Sequence, residues 1–208
     1  MTRWARSDIP RGADYDERFE RLAAAGHDVH GEASFVAGYE PGTVLDAGCG
    51  TGRVAVELAR RGIRTVGVDV DRAMLERARA KTSDVRWILG DLVDLQVSRR
   101  NGDPMRFHVV LAAGNVMIFL QPGSERRVVE RLAAHLVPGG LLIAGFQLVA
   151  GRYGLDAYDA DCAAAGLEPF ERFSTWARDP WHGDGGYAVS VHRRPVDEVG
   201  DGSDAGVS

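Results

Sequence analysis

The ten residues from Val44 to Arg53, VLDAGCGTGR, constrain this chain more than any other stretch. A short apolar run enters glycines at 48, 50 and 52 and leaves into a segment with helical spacing. Glycines at such a strand-to-helix turn let the backbone bend sharply and let a ligand come close to it. The unit belongs to an open α/β sheet, where ligands sit beyond the carboxyl ends of the strands, beside the point where strand order reverses.

The rest of the pattern agrees. Strands are expected at 43–48, 63–70, 84–91, 106–114 and 141–149, with helices at 53–62, 71–82 and 124–140 between them. Gly62 is a helix stop, Asp71 an N-cap, and Pro138-Gly139-Gly140 the close of the third helix. Strand and helix in alternation imply a parallel sheet covered on both faces. A further helix is expected at 155–168, then strands at 169–178 and 186–194 joined by a turn-rich segment; so short a connection makes that pair antiparallel. The expected fold class is therefore α/β, a Rossmann-like, mostly parallel seven-stranded sheet with an antiparallel edge hairpin. Residues 13–40 carry helical spacing at Tyr15, Phe19, Leu22 and Ala23. The division expected is a helical cover over the active site at 1–40, a core domain at 41–194, and a disordered tail rich in Gly, Asp and Ser at 195–208.

Composition narrows the function classes. With 208 residues, 45% of them hydrophobic, the chain can bury a full core. Its net charge of −5 argues against a broad nucleic-acid surface. Two cysteines, Cys49 and Cys162, build neither a disulfide framework nor a structural zinc site, and no dedicated metal site is visible. No run approaches the roughly 18 apolar residues of a membrane span, and the charged start lacks a signal core, so a cytoplasmic protein is expected. Of 25 basic residues only Lys81 is lysine, which reads as the codon bias of a GC-rich genome.

Two ligand classes compete for the glycine loop. A dinucleotide loop wants G-x-G-x-x-G, but Arg53 stands where its third glycine would be. Asp46, two residues before Gly48, would repel a pyrophosphate and suit a ligand carrying ammonium and sulfonium groups.

On these residues the chain resembles the class I S-adenosylmethionine-dependent methyltransferases over 13–194. Three more segments match in order: VGVDVDRAML at 66–75, GDL at 90–92 and LVPGGLLIAG at 136–145. The resemblance implies S-adenosylmethionine as cofactor, with S-adenosylhomocysteine as product. It makes Asp69, 21 residues after Gly48, the acid for the ribose hydroxyls. It makes Asp91 the acid for the adenine amino group, with Val70, Leu92 and Ala113 lining the same site and Gly48, Gly50 and Asp46 forming the loop. Tyr15, in a Tyr-Asp pair like that of many small methyltransferases, would touch the methionine end. One departure stands at the start of strand four, where the usual Phe-Asp is Phe107-His108, at the end away from the ligand.

The acceptor is read from the segment after strand four. AAGNVMIFL at 112–120 lacks the Asn/Asp-Pro-Pro-aromatic motif of base N-methylation and the Pro-Cys nucleophile of cytosine methylation. A small-molecule or glycan acceptor is left, with no nucleic acid or membrane partner, in a monomer or homodimer. GHDVHGEASF at 26–35 supplies candidate catalytic groups: His30 as general base, with Glu32 orienting it or taking the proton. Asn115, Gln147, Arg152 and Tyr153 lie just beyond strands four and five and would bind the acceptor, with Trp181 and His182 as candidate edges of the pocket. This polar set points to O-methylation of a sugar or similar polar metabolite. The alternatives are N-methylation of a small amine and a non-catalytic module that senses the methyl donor; a nicotinamide dehydrogenase is disfavoured by Arg53 and Asp46.

Overall fold

The computed structural model describes residues 2–4 and 12–196. Seven strands form one sheet in the order β3-β2-β1-β4-β5-β7-β6. The strands are β1 (Thr43–Ala47), β2 (Arg64–Asp69), β3 (Arg86–Leu89), β4 (Phe107–Ala112), β5 (Leu136–Gln147), β6 (Glu168–Phe173) and β7 (Tyr187–Arg193). The first five pair in parallel, and β7 runs antiparallel to both β5 and β6. Strand order reverses between β1 and β4, which opens a crevice at their carboxyl ends.

The helices are α1 (Ala13–Ala24), α2 (Gly31–Ala37), α3 (Arg53–Arg60), α4 (Arg72–Lys81), α5 (Val116–Phe119), α6 (Glu125–Ala134) and α7 (Leu155–Ala164). Alternation along the strands sorts the core into two layers. Val44, Val109, Leu111, Leu141 and Ile143 pack with α2 and α3 on one face. Leu45, Val110, Ala112, Leu142 and Ala144 pack with α5, α6 and α7 on the other. Both faces being covered, the central strands read as unbroken apolar runs rather than as an alternation. α4 lies against β2 and β3.

The helix ends follow local chemistry. Asp71 accepts hydrogen bonds from the N–H groups of Ala73 and Met74 at the start of α4. Gly62, at φ 80°, closes α3, with Ile63 N–H returning to Leu58 O; Gly166, at φ 76°, closes α7 with Leu167 N–H on Cys162 O.

Several expected boundaries shift, among them the helix expected at 155–168, which ends at Ala164. The helix expected at 124–140 ends at Ala134, because Phe107 N–H takes the His135 carbonyl at 2.8 Å and draws the chain into β5. Pro138-Gly139-Gly140 therefore lies inside β5, at the register irregularity between Phe107 and Val109. A Cβ at Gly140 would stand 3.1 Å from the carbonyl oxygens of both Phe107 and His108. The strand expected at 169–178 stops at Phe173, where Ser174 N–H turns back to Asp179 O and Arg178 adopts φ 66°. The helical spacing of 13–40 resolves into two helices separated by 25–30. The tail expected to be disordered falls, for 197–208, outside the described residues, as does 5–11 of the expected cover.

Candidate active site

The crevice holds a cavity whose wall comes from the carboxyl ends of β1 to β4 and from α1 and α2. At its floor the glycine loop is stitched to β2: the N–H groups of Gly48 and Cys49 both donate to Val68 O, at 2.8 and 3.0 Å. Gly48, Gly50 and Gly52 have φ of 79°, 55° and 78°. A Cβ at Gly48 would stand 2.5 Å from Val116 Cγ2, and one at Gly52 2.4 Å from Trp87 Cη2. The loop is thus closed to side chains by α5 on one side and β3 on the other.

Asp69 fixes this loop to the next turn. Its Oδ2 accepts from Gly50 N–H at 2.7 Å and its Oδ1 from Asp71 N–H at 2.8 Å. Each oxygen keeps a lone pair for a further donor. Burial pushes its carboxyl above the ordinary value, against the N–H groups of Asp71 and Gly50 that favour the ionised form. Asp46 is buried on β1 and its Oδ2 has no hydrogen-bond partner. Burial, opposed by Arg53, pushes its carboxyl up to about 7. Asp91 caps the short 3-10 turn at Leu92–Asp94, accepting from Val93 N–H at 3.1 Å. Burial likewise raises the Tyr15 hydroxyl, with Arg53 opposing.

Opposite the floor, Glu32 and Arg53 form a bidentate pair, and the guanidinium lies 4.4 Å from the centroid of Phe19. Arg53 also donates to Val29 O, so one side chain joins α3, α2, α1 and the loop between the two cover helices.

Residues 44–140 match the family model described as a methyltransferase domain. A TehB-like S-adenosylmethionine-dependent methyltransferase from Corynebacterium glutamicum superposes with a TM-score of 0.79 at 30% identity, over 87% of this chain and 96% of that one. The chain belongs to the class I S-adenosylmethionine-dependent methyltransferases. Curated relatives of this methyltransferase include a carboxy-S-adenosyl-L-methionine synthase of Wolinella succinogenes, 33% identical over 53% of this chain and 46% of that one. A cypemycin N-terminal methyltransferase of a Streptomyces species is 38% identical over 47% and 39%. The chain thus spans less than half the length of these curated relatives.

The residues present fit S-adenosylmethionine. An orphaned, buried carboxylate oxygen on Asp46 suits a cationic group, and the loop is left-handed at Gly48 and Gly50, with no room for a Cβ at Gly48. Among the described residues there is no cluster of three or more His, Cys, Asp or Glu placed to hold a metal, and no helix long and apolar enough to cross a membrane.

Of the residues singled out from sequence, the cavity wall contains Tyr15, Glu32, Asp46, Gly48, Gly50, Asp69, Val70, Asp91, Leu92, Ala113 and Asn115. Asn115, at φ 69°, spends its side-chain oxygen on Gln147 N–H at 2.8 Å, tying α5 to the end of β5. His30 is not in the wall. Its Nδ1 lies 3.9 Å from Glu57, and its partnership with Glu32 does not form because Arg53 takes both Glu32 oxygens. Gln147, Arg152 and Tyr153 also stand away from the wall; the Tyr153 hydroxyl donates to Asp161 at 2.6 Å and its ring packs on Phe146. Trp181 and His182 do not reach the wall either. His108 stays at the opposite end of the sheet, hydrogen-bonded to Thr43 at 2.8 Å.

Sequence reasoning missed Trp4, Phe19, Met74 and Phe119 as wall residues, and read Arg53 only as a missing glycine. Phe119 and Met74 come a few residues after strand ends, a position that could have flagged them; Trp4 carried no such signal.

Proposed function

We propose that this chain methylates a small acceptor molecule from S-adenosylmethionine, and that the acceptor atom is an amine nitrogen. The cofactor supplies an activated methyl group, so the protein's work is positioning and control of protons. The glycine loop and Asp69 hold the nucleoside half, and Asp46 and Tyr15 the methionine half. The Phe19, Val116, Phe119 and Leu120 side chains line the wall with apolar surface that keeps water from the reacting atoms.

The observation that carries the amine reading is the state of Glu32. Both its oxygens accept from Arg53, and His30 lies outside the wall, so neither is a free base. An amine that enters neutral attacks without one, whereas a hydroxyl gains from a base by about 10²–10⁴-fold. The four wall carboxylates, Glu32, Asp46, Asp69 and Asp91, outnumber the two cations Arg18 and Arg53, which favours the cationic cofactor.

A hydroxyl acceptor, as in O-methylation of a sugar or other small polar metabolite, is the second reading, and Asp46 supports it. A carboxyl raised to about 7 with one unpartnered oxygen can take a proton near neutral pH.

The test begins with calorimetric titration of S-adenosylhomocysteine, then transfer of labelled methyl into matched amines and alcohols. Label in amines alone is the expected result. Label in alcohols alone would move the assignment to the second reading. Tight binding with no transfer to any compound of a cell extract would indicate a sensing module.

A further inference from the structure

One face of α4 is a docking rail for the N-terminal residues. Asp71, Met74, Arg77 and Lys81 recur at the three- and four-residue spacing that aligns side chains on one helix face. Each meets a residue from the first sixteen. Trp4 Nε1 donates to Asp71 at 3.1 Å, Gly12 N–H to Met74 Sδ at 3.1 Å, and Arg77 Nε and Lys81 Nζ donate to Asp16 at 3.4 and 2.7 Å. The last contact differs from the others. Lys81 Nζ also donates to Thr51 O at 2.9 Å, and Thr51 lies within the glycine loop between Gly50 and Gly52.

We propose that Lys81 is a positioning residue of the cofactor site: its ammonium ties Asp16 on α1 to the Thr51 carbonyl of the glycine loop and so sets Tyr15 against the cavity. This rests on the methyltransferase reading of that cavity. Tyr15 and Asp16 are adjacent on α1, one in the cavity wall and the other turned to the rail, so fixing Asp16 fixes where Tyr15 points. Asp16 is buried, and a carboxylate so placed needs its cation partners. The pair is also selective. Among the described residues Arg77 donates to Asp16, whereas Lys81 reaches both the cover and the loop. The only lysine of the chain therefore stands where one cationic donor group bridges two acceptors from different elements.

By linkage, a ligand that is held better when Tyr15 is in place must in turn stabilise the Lys81 bridge. The test reads the affinity for S-adenosylhomocysteine by calorimetry in Lys81→Met, Asp16→Asn, the double variant and Lys81→Arg, with thermal melts alongside. Each single variant is expected to bind about tenfold more weakly, and the double no more weakly than the worse single, because both remove one bridge. Lys81→Arg is expected within about threefold of the parent. Unchanged affinity in Lys81→Met, additive losses, or losses that merely track melting temperature without rescue by arginine would overturn the proposal. A readout on the unmodified sequence covers a variant that fails to fold. Acetylation of Lys81 by an N-hydroxysuccinimide ester, read by mass spectrometry, is expected to slow about fivefold with S-adenosylhomocysteine at saturation. An equal rate with and without it would overturn the bridge, and failure of the parent protein to bind S-adenosylhomocysteine at all would overturn the methyltransferase reading and this proposal with it.

Discussion

Arg53 grips both oxygens of the Glu32 carboxylate, Nη1 to Oε2 at 2.9 Å and Nη2 to Oε1 at 2.5 Å, with both side chains 15% exposed. Arg53 is the first residue of α3, where the helix dipole disfavours a cation. Glu32, in the first turn of α2, sits where a carboxylate is favoured by its own helix, and it offsets that cost. The pair also neutralises the wall beside Asp46, and Arg53 and Glu32 act on the Asp46 carboxyl in opposite directions.

Removing the cation should therefore cost more than removing the pair. Arg53→Met leaves the half-buried Glu32 and the buried Asp46 without a countercharge, and a loss of about 3 kcal/mol is expected in urea unfolding at pH 7. The double variant Arg53→Met/Glu32→Gln should recover more than half of it. A double variant no more stable than Arg53→Met would show that the packing on Phe19, not the charge, sets the cost.

Asp46 gives a pH dependence of definite sign. Its folded value of about 7 lies above the ordinary carboxyl value of 3.8, so the folded state holds a proton that the unfolded state gives up. The stability this group contributes is complete below about 3.8, falls as pH rises towards 7, and is gone above it. The span is on the order of 4 kcal/mol. Without ligand, Asp46→Asn should flatten the loss of stability between pH 4 and 7, read as the difference in unfolding free energy from the parent across that range. Ligand reverses the preference: a cationic group beside Asp46 favours the ionised form, so S-adenosylhomocysteine should bind more tightly as pH rises through 7. Parallel stability curves for parent and variant would rule out the raised value.

The features that could be read from sequence were local in chain distance, and those that could not were brought in from afar. The Asp71 cap and the Gly62 stop depend on residues within a few positions, and the spacing of the glycines alone marks the loop, although Val68, Trp87 and Val116 that enclose it come from afar; all three stand where expected. Strand direction came from connection length, because a short link forces an antiparallel pair and a helical crossover a parallel one. His30 and Glu32 are near neighbours in sequence, yet the partner of Glu32 is Arg53, 21 residues on, and nothing in the intervening chain announces it. Likewise the end of α6 is set by β4: His135 leaves the helix because Phe107, from the neighbouring strand, claims its carbonyl. Lys81 looked like an accident of base composition, since a latch to Asp16 and Thr51 is a property of the folded neighbourhood and leaves no spacing signature.

Two glycines of equal backbone conformation separate conformational strain from steric blockage. Gly48 and Gly62 have φ of 79° and 80°, but a Cβ at Gly48 would meet Val116 Cγ2 at 2.5 Å, whereas none at Gly62 meets an atom within 4 Å. Gly62→Ala should cost only the left-handed penalty, about 1–2 kcal/mol, and leave affinity for S-adenosylhomocysteine unchanged. Gly48→Ala should cost more, displace α5 and weaken binding by at least about tenfold. Equal affinities in the two variants would mean that the loop does not touch the ligand.

The role of His30 can be decided by a variant expected to do almost nothing. Its ring stands outside the cavity wall, its Nδ1 is 3.9 Å from Glu57, and its backbone N–H is already held by Asp28 Oδ1 at 2.8 Å. His30→Ala removes none of the contacts that place Glu32, so methyl transfer should keep its kcat within about twofold of the parent. Glu32→Gln should behave differently, because it loosens Arg53 and with it the Phe19 wall; KM for the acceptor should rise while binding of S-adenosylhomocysteine changes little. A general base loses kcat by about 10²-fold or more when removed, with a pH–rate profile that loses its acid limb. That outcome for His30→Ala would require α2 to shift on acceptor binding so as to bring the imidazole into the cavity. It would transfer the assignment from an amine acceptor to a hydroxyl. A variant with normal kcat and an unchanged pH profile would leave the Glu32–Arg53 pair and the acceptor's own basicity in control of the reaction.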